Sequence, residues 1–147
     1  MVFSTLKTLA GVVSLALLAG SAQAETFTLF IYEAPSQFAL RNDRSDAGKA
    51  YWAGYNQFAA SLMQAGALRG GTALDATDVT TLDQSGWHKG TYLDGNKILG
   101  GYFIIETDDL AAAQTLAGQA PAVLTGSIQI HRTAPNPTQN ADMTGAY

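Results

Sequence analysis

Two runs in this chain are apolar on both of the faces that a β-strand presents, and this constrains its fold more than any other feature. Residues 25–33 (ETFTLFIYE) alternate, with Phe27, Leu29 and Ile31 on one side and Thr28, Phe30 and Tyr32 on the other. Residues 98–106 (ILGGYFIIE) set Leu99, Phe103 and Ile105 against Ile98, Tyr102 and Ile104. Successive side chains of a strand point to opposite faces, so a strand with one buried face alternates between apolar and polar. Neither run does. A sheet built on them needs cover on both sides, because each large apolar side chain left in water forfeits about 1.5–3 kcal/mol.

The rest of the chain supplies cover for one side. Tyr51, Tyr55, Phe58, Leu62 and Ala65 recur at helical spacing, and Trp52, Ala59 and Met63 broaden the stripe so that the helix lies flat on a sheet. Asp46 is the expected N-cap and Gly66 the expected stop. Thr107 is the expected cap of a second helix, with Asp108 and Asp109 in its first turn where the dipole favours carboxylates, and with its end near Gly118 ahead of Pro121. Residues 67–74 and 79–82 read as short strands, Gly70 and Gly71 marking a bulge or a close approach to the backbone. Residues 126–132 read as a last strand with Ile128 and Ile130 inward. Residues 35–46 and 83–97 read as loops, the second holding Asp94-Gly95, a hairpin-turn dipeptide. This order gives an α+β fold of ferredoxin-like βαββαβ type, an antiparallel sheet with two helices on one face. The uncovered face is then expected to meet a second copy, two sheets packing face to face as a homodimeric α+β barrel whose inner faces line a shared core or a pocket.

Composition narrows the class. Hydrophobic residues make up 47% of the 147 and charged ones 14%, enough to build a core and too apolar for wholesale disorder. The chain has no cysteine, which excludes a disulfide scaffold, a thiolate nucleophile and a cysteine-ligated zinc. A net charge of −4 argues against nucleic acid as a partner. Residues 1–24 have the form of a secretory signal, with Lys7, an apolar stretch and Ala22-Gln23-Ala24 before the expected cleavage point. Its apolar run is too short for a membrane span, so the expectation is a soluble exported product, in a bacterial periplasm, with no membrane attachment after cleavage. Residues 25–133 are the expected domain and 134–147 a disordered tail of little apolar content.

Four pieces in this order carry a family resemblance: FTLFIYE, FAASLMQAGALRGGTAL, LGGYFIIE and DDLAAAQTLAGQAPAVLTGSIQIHR. Spread from Phe27 to Arg132, over nearly the whole of the expected domain, they resemble the YCII-related family on its DGPF branch. The resemblance implies the dimeric α+β barrel already reached from the strand pattern. It also implies what is missing. The Asp-Gly-Pro-Phe turn keeps Asp94-Gly95 but has Asn96-Lys97 after it, Tyr55 and Asn56 stand where related enzymes carry a helix histidine, Thr72 replaces an acidic residue and Ala120 an aspartate. The acid–base pair suggested for the family is therefore absent.

The residues left to do chemistry are few. His131, alternating with Ile130, is expected on the face opposite Ile128 and Ile130, and His88 in a loop that could close over a pocket. Glu33 and Glu106 end their strands and could converge at a pocket mouth. His131, His88 and Glu33 are thus the catalytic candidates, against the plainer reading of each as solvated. Tyr32, Tyr55, Thr72 and Tyr102 are the ligand-binding candidates, a phenol offering an apolar body and one polar tip to a small organic molecule. Asp108 and Asp109 diverge on a helix, so no metal site is expected, and no phosphate loop, dinucleotide or hydrolase motif calls for a cofactor. The expected function is binding of a small molecule, or another noncatalytic envelope role. The alternative is a lyase, isomerase or hydrolase acting on a small organic acid, which needs His131, His88 or Glu33 within reach of a pocket.

Overall fold

The computed structural model describes residues 23–91, 93 and 96–134. The proposed signal, apart from Gln23 and Ala24, lies outside the described residues, as do the Asp94-Gly95 turn and residues 135–147 of the expected tail. The elements are β1 (Glu25–Glu33), α1 (Pro35–Phe38), a 3-10 turn (Ala39–Asn42), α2 (Asp46–Gln64), β2 (Leu68–Ala73), β3 (Thr80–Asp83), β4 (Gly86–Lys89), β5 (Ile98–Thr107), α3 (Leu110–Ala117), α4 (Ala122–Thr125) and β6 (Gly126–Arg132). Four strands form one sheet in the order β2-β5-β1-β6, each neighbour antiparallel. The architecture is α+β and compatible with a ferredoxin-like arrangement.

The alternation of β1 decides where the core sits. Phe27, Leu29, Ile31 and Glu33 are buried, and the residues between them only half so. Phe27 and Leu29 share a core with Phe58 and Leu62 of α2, with Ala113 and Ala117 of α3, and with Ile105 of β5. Both helices therefore lie on one face of the sheet. Ile128 and Ile130 pack against that core from β6, inward as expected. Large-to-small changes in such a core cost about 2–5 kcal/mol each.

Four expectations need correction. First, residues 35–46 are not plain loop: Pro35 starts a turn of helix where its missing N–H costs nothing, and a 3-10 turn follows. Second, residues 79–82 do not join the main sheet. β3 pairs with β4 as a separate hairpin, β4 falling inside the stretch read as loop. Its turn is made by Asp83, whose Oδ1 accepts from Ser85 N at 2.8 Å, and by Gly86 at φ 114°. Third, the faces of β5 cross over part-way. Ile31 stands opposite Gly101 but Tyr32 opposite Leu99, so Gly100 bulges out of the ladder and Leu99 lies on the face of Tyr32, opposite that of Phe103 and Ile105. Fourth, the caps sit one and two residues from the predicted ones. Ser45, itself held by Asp43, caps α2 through Ala47 N, and Asp109 caps α3 through Ala112 N at 2.8 Å, because β5 runs on to Thr107. Gly66, at φ 67°, does end the α2 region as predicted.

Candidate functional site

Glu33, the last residue of β1, is 1% exposed and follows the inward register of Phe27, Leu29 and Ile31. Alternation thus delivers a carboxylate to an apolar core, where it must be answered by donors. Arg41 Nη2 meets Glu33 Oε2 at 2.7 Å, and the phenols of Tyr51 and Tyr55 donate to Oε1 at 2.7 and 3.0 Å. The 3-10 turn carries Arg41 over the sheet end, and the helical i, i+4 spacing of Tyr51 and Tyr55 aims both hydroxyls at the same oxygen.

Arg41 is fixed as closely as the carboxylate it meets. Its Nε donates to the Tyr51 oxygen at 2.7 Å, Nη1 to Leu74 O at 2.8 Å and Nη2 also to Gly100 O at 2.6 Å. The guanidinium lies 4.3 Å from the Phe38 ring centroid and 5.7 Å from those of Tyr51 and Trp52, an aromatic setting that suits its planar, weakly hydrated charge. Trp52 closes the ring of contacts by donating from Nε1 to Arg41 O at 3.2 Å. Gly100 is the bulge residue for a steric reason, since a Cβ there would collide with the Glu33 carboxylate and the Arg41 guanidinium. Burial pushes both tyrosines well above the ordinary phenol range, and the neighbouring Glu33 charge and hydrogen bonds add to it, so both stay protonated as donors.

Next to this network is a cleft of about 190 Å³ between α2 and the β2 edge of the sheet. Arg41, Tyr51, Trp52, Tyr55, Asn56 and Ala59 form one wall, and the backbone runs at Gly71–Ala73 and Gly100–Phe103 form the other. Gly71 is required there, because a Cβ would stand 2.6 Å from Tyr102 O. Glu33 itself does not border the cleft; it holds the residues that do.

Of the ligand-binding candidates, Tyr55, Thr72 and Tyr102 line this cleft and Tyr32 does not. Thr72 and Tyr102 are opposite one another in the ladder, at the edge where the cleft meets the other face. Tyr32 lies on that other face and donates to Gln129 Oε1 at 3.0 Å. His131 is there too, opposite Thr28, its ring set edge-on to Phe30 at 5.3 Å, on the face predicted for it and away from the cleft. Glu33 and Glu106 do not converge. Glu106 is opposite Thr26, at the far end of the sheet, where it pairs with Arg69 at 3.1 Å.

His88 is part of the β3–β4 hairpin, in a strand and not a loop, and does not border the cleft. Its Nε2 is 3.0 Å from Asp83 Oδ1 and 2.9 Å from Ser85 Oγ. A catalytic triad needs Ser and Asp on different ring nitrogens, whereas here both meet the same one, so the trio braces a turn. The Ser85 hydroxyl first, then His88, holds the Asp83 carboxyl below the usual range.

Sequence reasoning missed Arg41, read as a loop charge, and Tyr51, read as core. The signal was present: a strand-end glutamate in the buried register, and two tyrosines one helical turn apart. No protein-family model matches the chain, and no curated protein matches it either.

Proposed function

We propose that this is a small-molecule-binding protein whose site is the cleft between α2 and β2. The observation that carries this reading is the Glu33–Arg41–Tyr51–Tyr55 network. It fixes polar side chains in the wall of a largely apolar recess, which is how ligand sites combine burial with orientation. An enzymatic reading would need a proton-transferring group at the same recess. Neither histidine borders it, Glu33 stands behind its donors, and the two wall phenols are held protonated.

The test is a screen of small aromatic fragments followed by amide chemical shifts. Hits should move the signals of Gly71, Ala73 and Gly101, and Ala59→Phe, which fills the recess from α2, should abolish them. Hits that map instead to Phe30, Tyr32 and His131 would move the site to the other face of the sheet.

Membership of the YCII-related family is part of the same proposal, supported by the motifs at residues 27–33, 58–74, 99–106 and 108–132. The leader-like residues 1–24 support export, and among the described residues no helix is long and apolar enough to cross a membrane. The half-buried Phe30, Tyr32, Leu99, Tyr102 and Ile104, on the face that no helix covers among the described residues, support a homodimer in which that face meets its copy.

A further inference from the structure

We infer that the cleft beside Arg41 selects an uncharged ring compound bearing a hydrogen-bond acceptor, and turns away carboxylates of the same shape. The inference rests on the cleft being the binding site, and it concerns what that site accepts.

Size comes first. An apolar cavity of about 150 Å³ holds benzene, so a recess of about 190 Å³ has room for one ring with a small substituent. The walls fit a ring as well, with Trp52, Tyr55 and Phe103 around it and the backbone at Gly71 and Gly101 free of side chains.

Polarity comes next. Of the five N–H groups on Arg41, Nε serves Tyr51, Nη2 serves Glu33 and Gly100 O, and one on Nη1 serves Leu74 O. The other Nη1 hydrogen has no acceptor among the described residues, on a side chain that is 10% exposed and lines the recess. A donor in that position asks for an acceptor on the ligand. Trp52 Nε1 and the Tyr51 and Tyr55 hydroxyl protons are already committed.

Charge decides between acceptors. Arg41 would ordinarily attract a carboxylate, but Glu33 already sits on it at 2.7 Å. The cation is therefore already matched, and an incoming anion would lose its water without gaining an unpaired partner. A cationic ligand fares no better, because Glu33 is closed off: Oε1 accepts from both phenols and Oε2 from Arg41. What remains is a neutral acceptor such as a ketone, ester or amide oxygen.

Four probes of matched shape test this on the chain starting at Glu25, by amide titration with Trp52 fluorescence as a second readout. They are acetophenone, benzoate, benzamidine and cumene. Acetophenone is expected to bind tightest, at least about tenfold ahead of benzoate and benzamidine and about fivefold ahead of cumene, the worth of one ordinary hydrogen bond. Benzoate or benzamidine binding as tightly as acetophenone, with shifts still at Gly71 and Gly101, overturns the charge selection and leaves the cleft as a site. Cumene matching acetophenone overturns the role of the Arg41 donor. If none of the four moves those signals, the cleft reading falls with the inference.

Discussion

Burying a carboxylate costs several kcal/mol unless donors replace its water, and at Glu33 three side chains do so. An ion pair of this kind adds little over a well-packed apolar pair, yet breaking it is costly because the surviving charge is stranded. Glu33→Gln should therefore lower unfolding stability by about 3–5 kcal/mol, measured by urea denaturation; a loss under about 1 kcal/mol would mean that Arg41 finds another partner. The tyrosines give a second readout. Their folded pKa values lie above the unfolded value near 10, so their contribution is complete below about pH 10 and is lost as pH rises beyond it. Stability should fall through this alkaline window less steeply in Tyr55→Phe than in the parent chain, and ultraviolet titration should find two of the six tyrosines that do not ionise before unfolding. Equal slopes would remove Tyr55 from the network. Glu33 itself was legible in the sequence, since the period of two puts it in register with Ile31. Its partners were not, because nothing local tells a loop arginine which strand end it will reach.

At the scale of the element, the sequence was most readable where one period held throughout. The two faces of β1, the stripe of α2 and the Gly66 stop all follow from periodicity and backbone preference, and burial adds which face of β1 is inward. The departures have local causes. Gly100 shifts the β5 register by one, and a period-two reading carried through that glycine necessarily sends Leu99 to the wrong face. β4 went unseen because four residues with a glycine at one end and a partner as short as β3 leave almost no pattern. Asp46 and Thr107 are plausible caps, but the cap is the residue whose backbone is extended immediately before the helix, and those residues are Ser45 and Asp109. Asp109→Ala should accordingly destabilise the protein by about 0.5–2 kcal/mol and Thr107→Ala by less, compared as shifts in melting midpoint. The reverse order would restore Thr107 as the cap.

For the whole molecule, the sheet has two unlike faces. One is closed by α2 and α3; the other keeps Phe30, Tyr102 and Ile104 half-buried, and among the described residues no helix lies over them. The proposed dimer covers that second face, and sedimentation equilibrium at micromolar concentration should find twice the mass of a single chain. A species at the mass of one chain would leave the face in water and remove the reason for its apolar character. The four-strand order could be anticipated because two double-faced strands have to be central, and β5 and β1 are. The cleft could not, because it depends on how α2, the Arg41 turn and the Gly100 bulge meet, each set by a different part of the chain.

The most direct measurement is a crystal structure of the chain from Glu25 soaked with acetophenone. The account predicts density for the ring between Trp52 and the Gly71–Ala73 backbone, with its carbonyl oxygen within hydrogen-bond distance of Arg41 Nη1. Density on the opposite face beside His131 and Phe30, with the cleft empty, would contradict it.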